Sequence, residues 1–121
     1  MVGVFVVDDT AWFRRAAGAV IEATDGFEVA GCAESAAEGE RILADPEICP
    51  DLVLMDVDLG DGSGIDLTAT LTQLRPELRI LLVSTIDRAD LPARAETCGA
   101  IDFLPKIEFT QAMLRRHTGV A

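Results

Sequence analysis

The sequence predicts an α/β fold: a doubly wound, five-stranded parallel sheet with helices on both faces. Three observations predict it. Short, continuously apolar runs alternate with helix-periodic segments along the whole chain. The runs are rich in β-branched residues and lack a polar side, as strands buried on both faces require. Five strand–helix pairs in succession need right-handed crossovers, which place helices on both sides of one open sheet.

The first run, Val2-Gly3-Val4-Phe5-Val6-Val7, ends at Asp8-Asp9. Thr10 can cap the helix that follows, where Trp12, Phe13, Ala16, Ala17, Val20 and Ile21 recur at helical spacing. Thr24-Asp25-Gly26 is a stop signal, and Phe27 to Ala33 reads as the second strand. Ser35 with Glu38 forms a capping box for a second helix with Ala37, Ile42 and Leu43 as apolar contacts. Leu52-Val53-Leu54-Met55 is the third strand and runs into Asp56. A glycine-rich loop, 57–64, leads to a third helix with Leu67, Leu71 and Leu74 inward and Pro76 at its end. Arg79 to Val83 is the fourth strand, closing on Ser84-Thr85. Asp87 to Cys98 reads as a weak, polar helix with Pro92 near its start, stopped by Gly99. Ile101 to Leu104 is a short fifth strand leading to Pro105-Lys106, and Thr110 caps a last helix through about His117. Nothing along residues 1–121 suggests a linker or a second domain, so one domain is expected.

The chain has 121 residues, half of them apolar, enough to bury one core. Its formal charge of −11 repels nucleic-acid backbones, so no direct contact with DNA or RNA is expected. Cys32, Cys49 and Cys98 lack metal-ligand spacing and read as reduced, partly buried thiols. The apolar stretch 1–7 is too short for a membrane span and has no basic lead, so a cytoplasmic location without membrane contact is expected.

In an open parallel sheet the active crevice lies beyond the carboxyl ends of the strands. Strand one delivers Asp8 and Asp9 there. Strand three delivers Asp56, with Asp58 two residues on; strand four delivers Ser84, and strand five Lys106. Three carboxylates in one pocket disfavour one another's ionisation, and a hard divalent cation such as Mg²⁺ relieves that conflict. Asp56 is then free to attack phosphorus, Lys106 supplies the counter-charge by pairing with Asp56 at rest, and the Ser84 hydroxyl can donate to a phosphoryl oxygen. Taken singly the motifs are bland. Asp8-Asp9 alone fits a helix cap with a first-turn acid, Lys106 alone a surface lysine, and Asp61-Gly62 with Gly64 a turn. Their joint placement at successive strand ends is what carries the chemistry.

With Asp8-Asp9, Leu54-Met55-Asp56, Ser84-Thr85 and Phe103-Leu104-Pro105-Lys106 in this order, the whole chain resembles a response-regulator receiver domain, a flavodoxin-like (βα)5 fold. The resemblance implies Mg²⁺, or Mn²⁺ in its place, bound by Asp9, Asp56 and the main-chain carbonyl of Asp58, with Asp8 acting through a water. It implies that Asp56 takes a phosphoryl group from a histidine kinase or phosphotransfer protein. It implies that Ser84 and Phe103 form a switch pair that changes a protein-interaction face. The partner downstream is then a protein target or an output domain beyond this chain. Three features depart from the family, one of them a short last helix, Gln111 to His117, followed by Thr118-Gly119. Pro105 precedes the lysine and Ile107 follows it, where the family usually has proline after the lysine. No cis bond is expected there, since a non-proline cis peptide costs about 3 kcal/mol. Asp58 adds a negative side chain at a position that influences phosphoryl lifetime in the family.

An alternative uses Asp56 and Asp58 as the paired acids of a small haloacid-dehalogenase-like phosphatase, but that motif normally follows the first strand of a larger domain. A module with a decayed site would lack the complete acid, hydroxyl and lysine set. A Ser-His hydrolase from Ser63 or Ser84 with His117 is remote, because His117 sits in the terminal helix, where it serves as a C-terminal charge.

Overall fold

The structure, a computed structural model, describes residues 1–119, so the last two positions of the expected 1–121 domain lie outside the described residues. Five strands form one parallel sheet: β1 (Val2–Val7), β2 (Phe27–Ala33), β3 (Leu52–Asp56), β4 (Ile80–Ser84) and β5 (Asp102–Pro105), in spatial order β2-β1-β3-β4-β5. Four α-helices connect and cover them: α1 (Ala11–Glu22), α2 (Ala36–Leu43), α3 (Gly64–Leu74) and α4 (Gln111–Thr118).

Alternation along each central strand splits the core in two. Phe5, Val7, Val53, Met55, Ile80, Leu82 and Phe103 face α2 and α3, where they meet Leu43, Ile65, Leu67 and Leu71. Val4, Val6, Leu52, Leu54, Leu81, Val83 and Leu104 face α1 and α4, where they meet Phe13, Ala17, Ile21 and Leu114. Both faces are apolar because both are covered. That is why the strands read as unbroken hydrophobic runs. At the β1–β2 seam the register shifts between Val4 and Phe5, and a Cβ at Gly31 would lie 2.9 Å from the Phe5 ring. The glycine makes room for that ring.

Three local expectations need correction. The segment after β4 is not an α-helix. It forms two 3₁₀ turns, Arg88–Asp90 and Ala93–Glu96, separated by Leu91 and Pro92 in extended conformation. Proline disfavours the helical region for its predecessor, so Leu91 is extended and the weak helix expected there does not form. Leu74 is exposed rather than inward, because α3 is in its last turn there. Thr10 precedes α1 but makes no side-chain cap, since its hydroxyl is used elsewhere. Ser35, Ser63 and Thr110 do cap α2, α3 and α4.

One buried cation stabilises the end of the sheet opposite the strand tips. Arg75 donates through Nη1 to the carbonyls of Leu43, Asp45 and Ile48, closing the C-terminus of α2. All three cysteines are free. Cys98 is buried, whereas Cys32 and Cys49 are exposed rather than partly buried.

Candidate functional site

The topology brings the tips of β1, β3, β4 and β5 to one crevice. It is lined by Asp9, Thr10, Trp12, Asp56, Val57, Asp58, Ser84, Thr85, Ile86 and Lys106. The crevice lies where strand order reverses, between β1 and β3.

Asp8 is fully buried, Asp56 is 5 % exposed, and Asp9 stands in solvent at the rim. One carboxylate oxygen from each lies within 4.8 Å of the others. Thr10 fixes Asp8 by donating both its N–H and its hydroxyl to Asp8 Oδ1. Arg14 Nη1 donates to the Asp8 main-chain carbonyl at 2.7 Å, and Nη2 reaches Glu34. These contacts use Asp8 Oδ1 and the main-chain carbonyl, not Oδ2. Lys106 Nζ approaches Oδ2 to 2.8 Å as an ion pair, yet no donor is aligned on that oxygen as a hydrogen bond. A buried, under-coordinated carboxylate oxygen beside two more carboxylates fits a hard divalent cation held by oxygen ligands.

Lys106 is 8 % exposed and donates to Asp56 Oδ2 at 3.4 Å. The lysine expected to pair with Asp56 therefore sits between two carboxylates and lies nearer to Asp8. The Asp56 carboxyl is pushed up from 3.8 to about 7. Burial is the main cause and the Asp8 charge the next; Lys106 and the Asp58 N–H on Asp56 Oδ1 oppose them.

Ser84 is buried at the end of β4, and its oxygen accepts the Ile86 N–H at 3.2 Å, which leaves the hydroxyl proton available. Phe103 is buried on β5, and Arg88 spans it: the guanidinium lies 5.5 Å from the ring centroid and donates to the Phe103 carbonyl and to Asp102. The Asp58 carboxylate accepts the Gly60 N–H at 3.1 Å, closing the first turn of the β3–α3 loop.

Two residues that the sequence marks only as a turn do more than that. Gly64 is one: its N–H donates to the Val57 carbonyl, and a Cβ there would sit 1.8 Å from the Asp56 carbonyl oxygen. Asp61 is another. Its carboxylate accepts the N–H groups of Ala36 and Ala37, joining the loop to the start of α2 and holding its own pKa below the usual carboxylate range. A sequence signal for the lysine was also present. Lys106 is the only lysine; every other residue among the ten Lys and Arg is arginine. Its compact ammonium can bridge two carboxylates as a point charge. His117, by contrast, lies against Asp102 and the Met113 carbonyl and is not among the crevice residues.

The family follows from comparison with known proteins. The family model for the response regulator receiver domain matches residues 4–118. The chain belongs to this family. The receiver domain is 32% identical over 106 residues to response regulator GacA of Pseudomonas protegens, covering 88% of this chain and 49% of that protein. It is 36% identical over 130 residues to protein-glutamate methylesterase/protein-glutamine glutaminase 1 of Geobacter sulfurreducens, covering 98% of this chain and 35% of that protein. Among solved structures it superposes with a TM-score of 0.79 and 25% identity on a response regulator protein from Burkholderia pseudomallei with a phosphorylated aspartic acid, calcium ion and citrate. That match covers 93% of this chain and 64% of the other. The chain thus spans about half the length of the GacA regulators and about a third of the methylesterases it matches. Among the described residues no helix is long and apolar enough to cross a membrane.

Proposed function

We propose that Asp56 accepts a phosphoryl group from a histidine kinase or phosphotransfer protein, and that Ser84 and Phe103 relay the change to a protein-binding face. The observation that carries this reading is the environment of Asp56: a buried carboxylate with two acids and one ammonium converging on it from two other strands. The phosphorylated aspartate in the Burkholderia relative supports it. That the acid pair follows the third strand, and not the first, speaks against the phosphatase alternative.

In the proposed step an Asp56 oxygen attacks the phosphorus of an N-phosphoimidazole. A P–O bond forms, the P–N bond breaks, and the ring nitrogen keeps the electron pair; the ring leaves neutral when its other nitrogen carries a proton. Asp9, Asp56 and the Asp58 carbonyl would hold Mg²⁺, or Mn²⁺, with Asp8 reaching it through water. When bound, the cation neutralises charge on the transferring phosphoryl oxygens. Lys106 then turns from the carboxylates to a phosphoryl oxygen, and the free Ser84 proton meets a second. Ring and hydroxyl movement at Phe103 and Ser84 would loosen the Arg88 contacts that hold β5. We place the protein in the cytoplasm, as one domain acting on a protein target or on an output domain beyond this chain, with no direct nucleic-acid contact.

Incubation with a small acyl phosphate and Mg²⁺, followed by intact-mass measurement, tests this. One phosphoryl group should appear on the wild type and none on Asp56→Asn. A gain on both proteins would refute the assignment, and no gain on either would refute phosphoacceptance.

A further inference from the structure

Four groups surround the Lys106 ammonium: Asp8 Oδ2 at 2.8 Å, Asp56 Oδ2 at 3.4 Å, the Phe13 ring at 4.8 Å from its centroid and the Trp12 ring at 5.7 Å. Two are anions and two are aromatic faces. The rings attract a cation through their quadrupole, most strongly where water is excluded. Phe13 is 2 % exposed, whereas Trp12 is largely in solvent, so Phe13 is the stronger partner.

Phe13 also holds the turn that carries the lysine. Lys106 opens a 3₁₀ turn ending at Glu108, and Ile107 within it is 92 % exposed and anchors nothing. The anchor is Phe109. Its N–H donates to the Lys106 carbonyl, and its ring packs on Phe13 with centroids 6.0 Å apart. Phe13 therefore touches the lysine system at both ends, head group and turn. It stands in the first turn of α1, directly after the Asp8-Asp9-Thr10 loop. One chain segment thus sets the acids and the floor on which the ammonium rests.

We infer that Phe13 is a positioning residue for Lys106, holding its ammonium between Asp8 and Asp56 through the ring face while Phe109 fixes the turn. The inference takes the phosphoacceptor reading further, and rests on it only for the effect on phosphoryl binding. Its geometry concerns the resting protein.

Stepwise fluorination of the Phe13 ring weakens the quadrupole while nearly preserving shape. Two readouts separate the questions. Hydrogen exchange of the lysine ammonium, a single signal because Lys106 is the only lysine, reports positioning without phosphoryl chemistry. Affinity for beryllofluoride with Mg²⁺ reports use of the lysine. The expected result is ammonium exchange that speeds with each fluorine, and beryllofluoride affinity that falls in step to roughly tenfold weaker for the trifluoro ring. The same series at Phe27, which is buried in the same core and, among the described residues, lies under no cation, should leave both unchanged. Flat responses at Phe13, or equal responses at Phe27, would overturn the inference. If exchange follows the series but no variant binds beryllofluoride, the positioning role stands and the phosphoacceptor reading fails.

Discussion

Lys106 Nζ lies 2.8 Å from Asp8 Oδ2 and 3.4 Å from Asp56 Oδ2, so one buried ammonium bridges the acid from β1 and the acid from β3. Removing it leaves two buried carboxylates facing each other. Lys106→Met, which keeps much of the length, should lower denaturant stability at pH 8 by about 3 kcal/mol. The loss should shrink at pH 5, where Asp56 takes up a proton, and Mg²⁺ should restore part of it at pH 8. Equal losses at both pH values, insensitive to Mg²⁺, would mean that packing and not charge dominates.

Asp56 itself makes stability depend on pH. Its carboxyl is raised from 3.8 to about 7 in the folded protein. Between those values the native state holds more protons than the unfolded chain, so stability falls as pH rises. The penalty is absent below the lower value and complete above the upper one, with an upper bound of about 4 kcal/mol. Asp56→Asn should therefore match the wild type near pH 4 and exceed it at pH 8. Urea titrations across that range check the slope; parallel curves for the two proteins would remove the basis for a raised Asp56.

Gly64 should be intolerant of a side chain. A Cβ would meet the Asp56 carbonyl oxygen at 1.8 Å, and backbone cannot yield as a side-chain tip can. Gly64→Ala should cost about 3 kcal/mol and move the Asp56 carboxylate. Gly62→Ala is the control, because its Cβ would meet only Ala36 at 3.4 Å and should be near neutral. Thermal melts, with NMR shifts of the Asp56 and Val57 amides, distinguish the two.

Asp61 joins the β3–α3 loop to α2 through the Ala36 and Ala37 amides. In Asp61→Ala those two amides lose their acceptor, so their hydrogen exchange should speed several-fold while that of the β1 and β3 amides is unchanged. The effect should also appear in the wild type at low pH once Asp61 is protonated. Its depressed pKa places that change below the ordinary aspartate range. Unchanged Ala36 and Ala37 exchange would show that water replaces the carboxylate at no cost.

The succession of five strands along the chain, the limits of β1, β2 and α1, and the acids, hydroxyl and lysine at the strand tips were legible in the sequence. Strands covered on both faces leave an unbroken apolar signature, and residues at their carboxyl ends must meet in an open parallel sheet. The connection misread, between β4 and β5, shows where that legibility stops: a weak, polar helix signal lost to a backbone restriction at Leu91-Pro92.

What the sequence by itself determined was therefore which groups share the crevice: Asp8, Asp9, Asp56, Ser84 and Lys106. Only the tertiary structure decided how they share it. It set Lys106 nearer to Asp8 than to Asp56, placed Phe13 under the ammonium, and brought Gly64 against the Asp56 carbonyl. Strand periodicity fixes which end and which face a residue occupies, to within several ångströms. Ion pairing, cation–π contact and steric exclusion turn on one or two ångströms, and those are set by how α1 and the β3–α3 loop pack against segments far away in the chain.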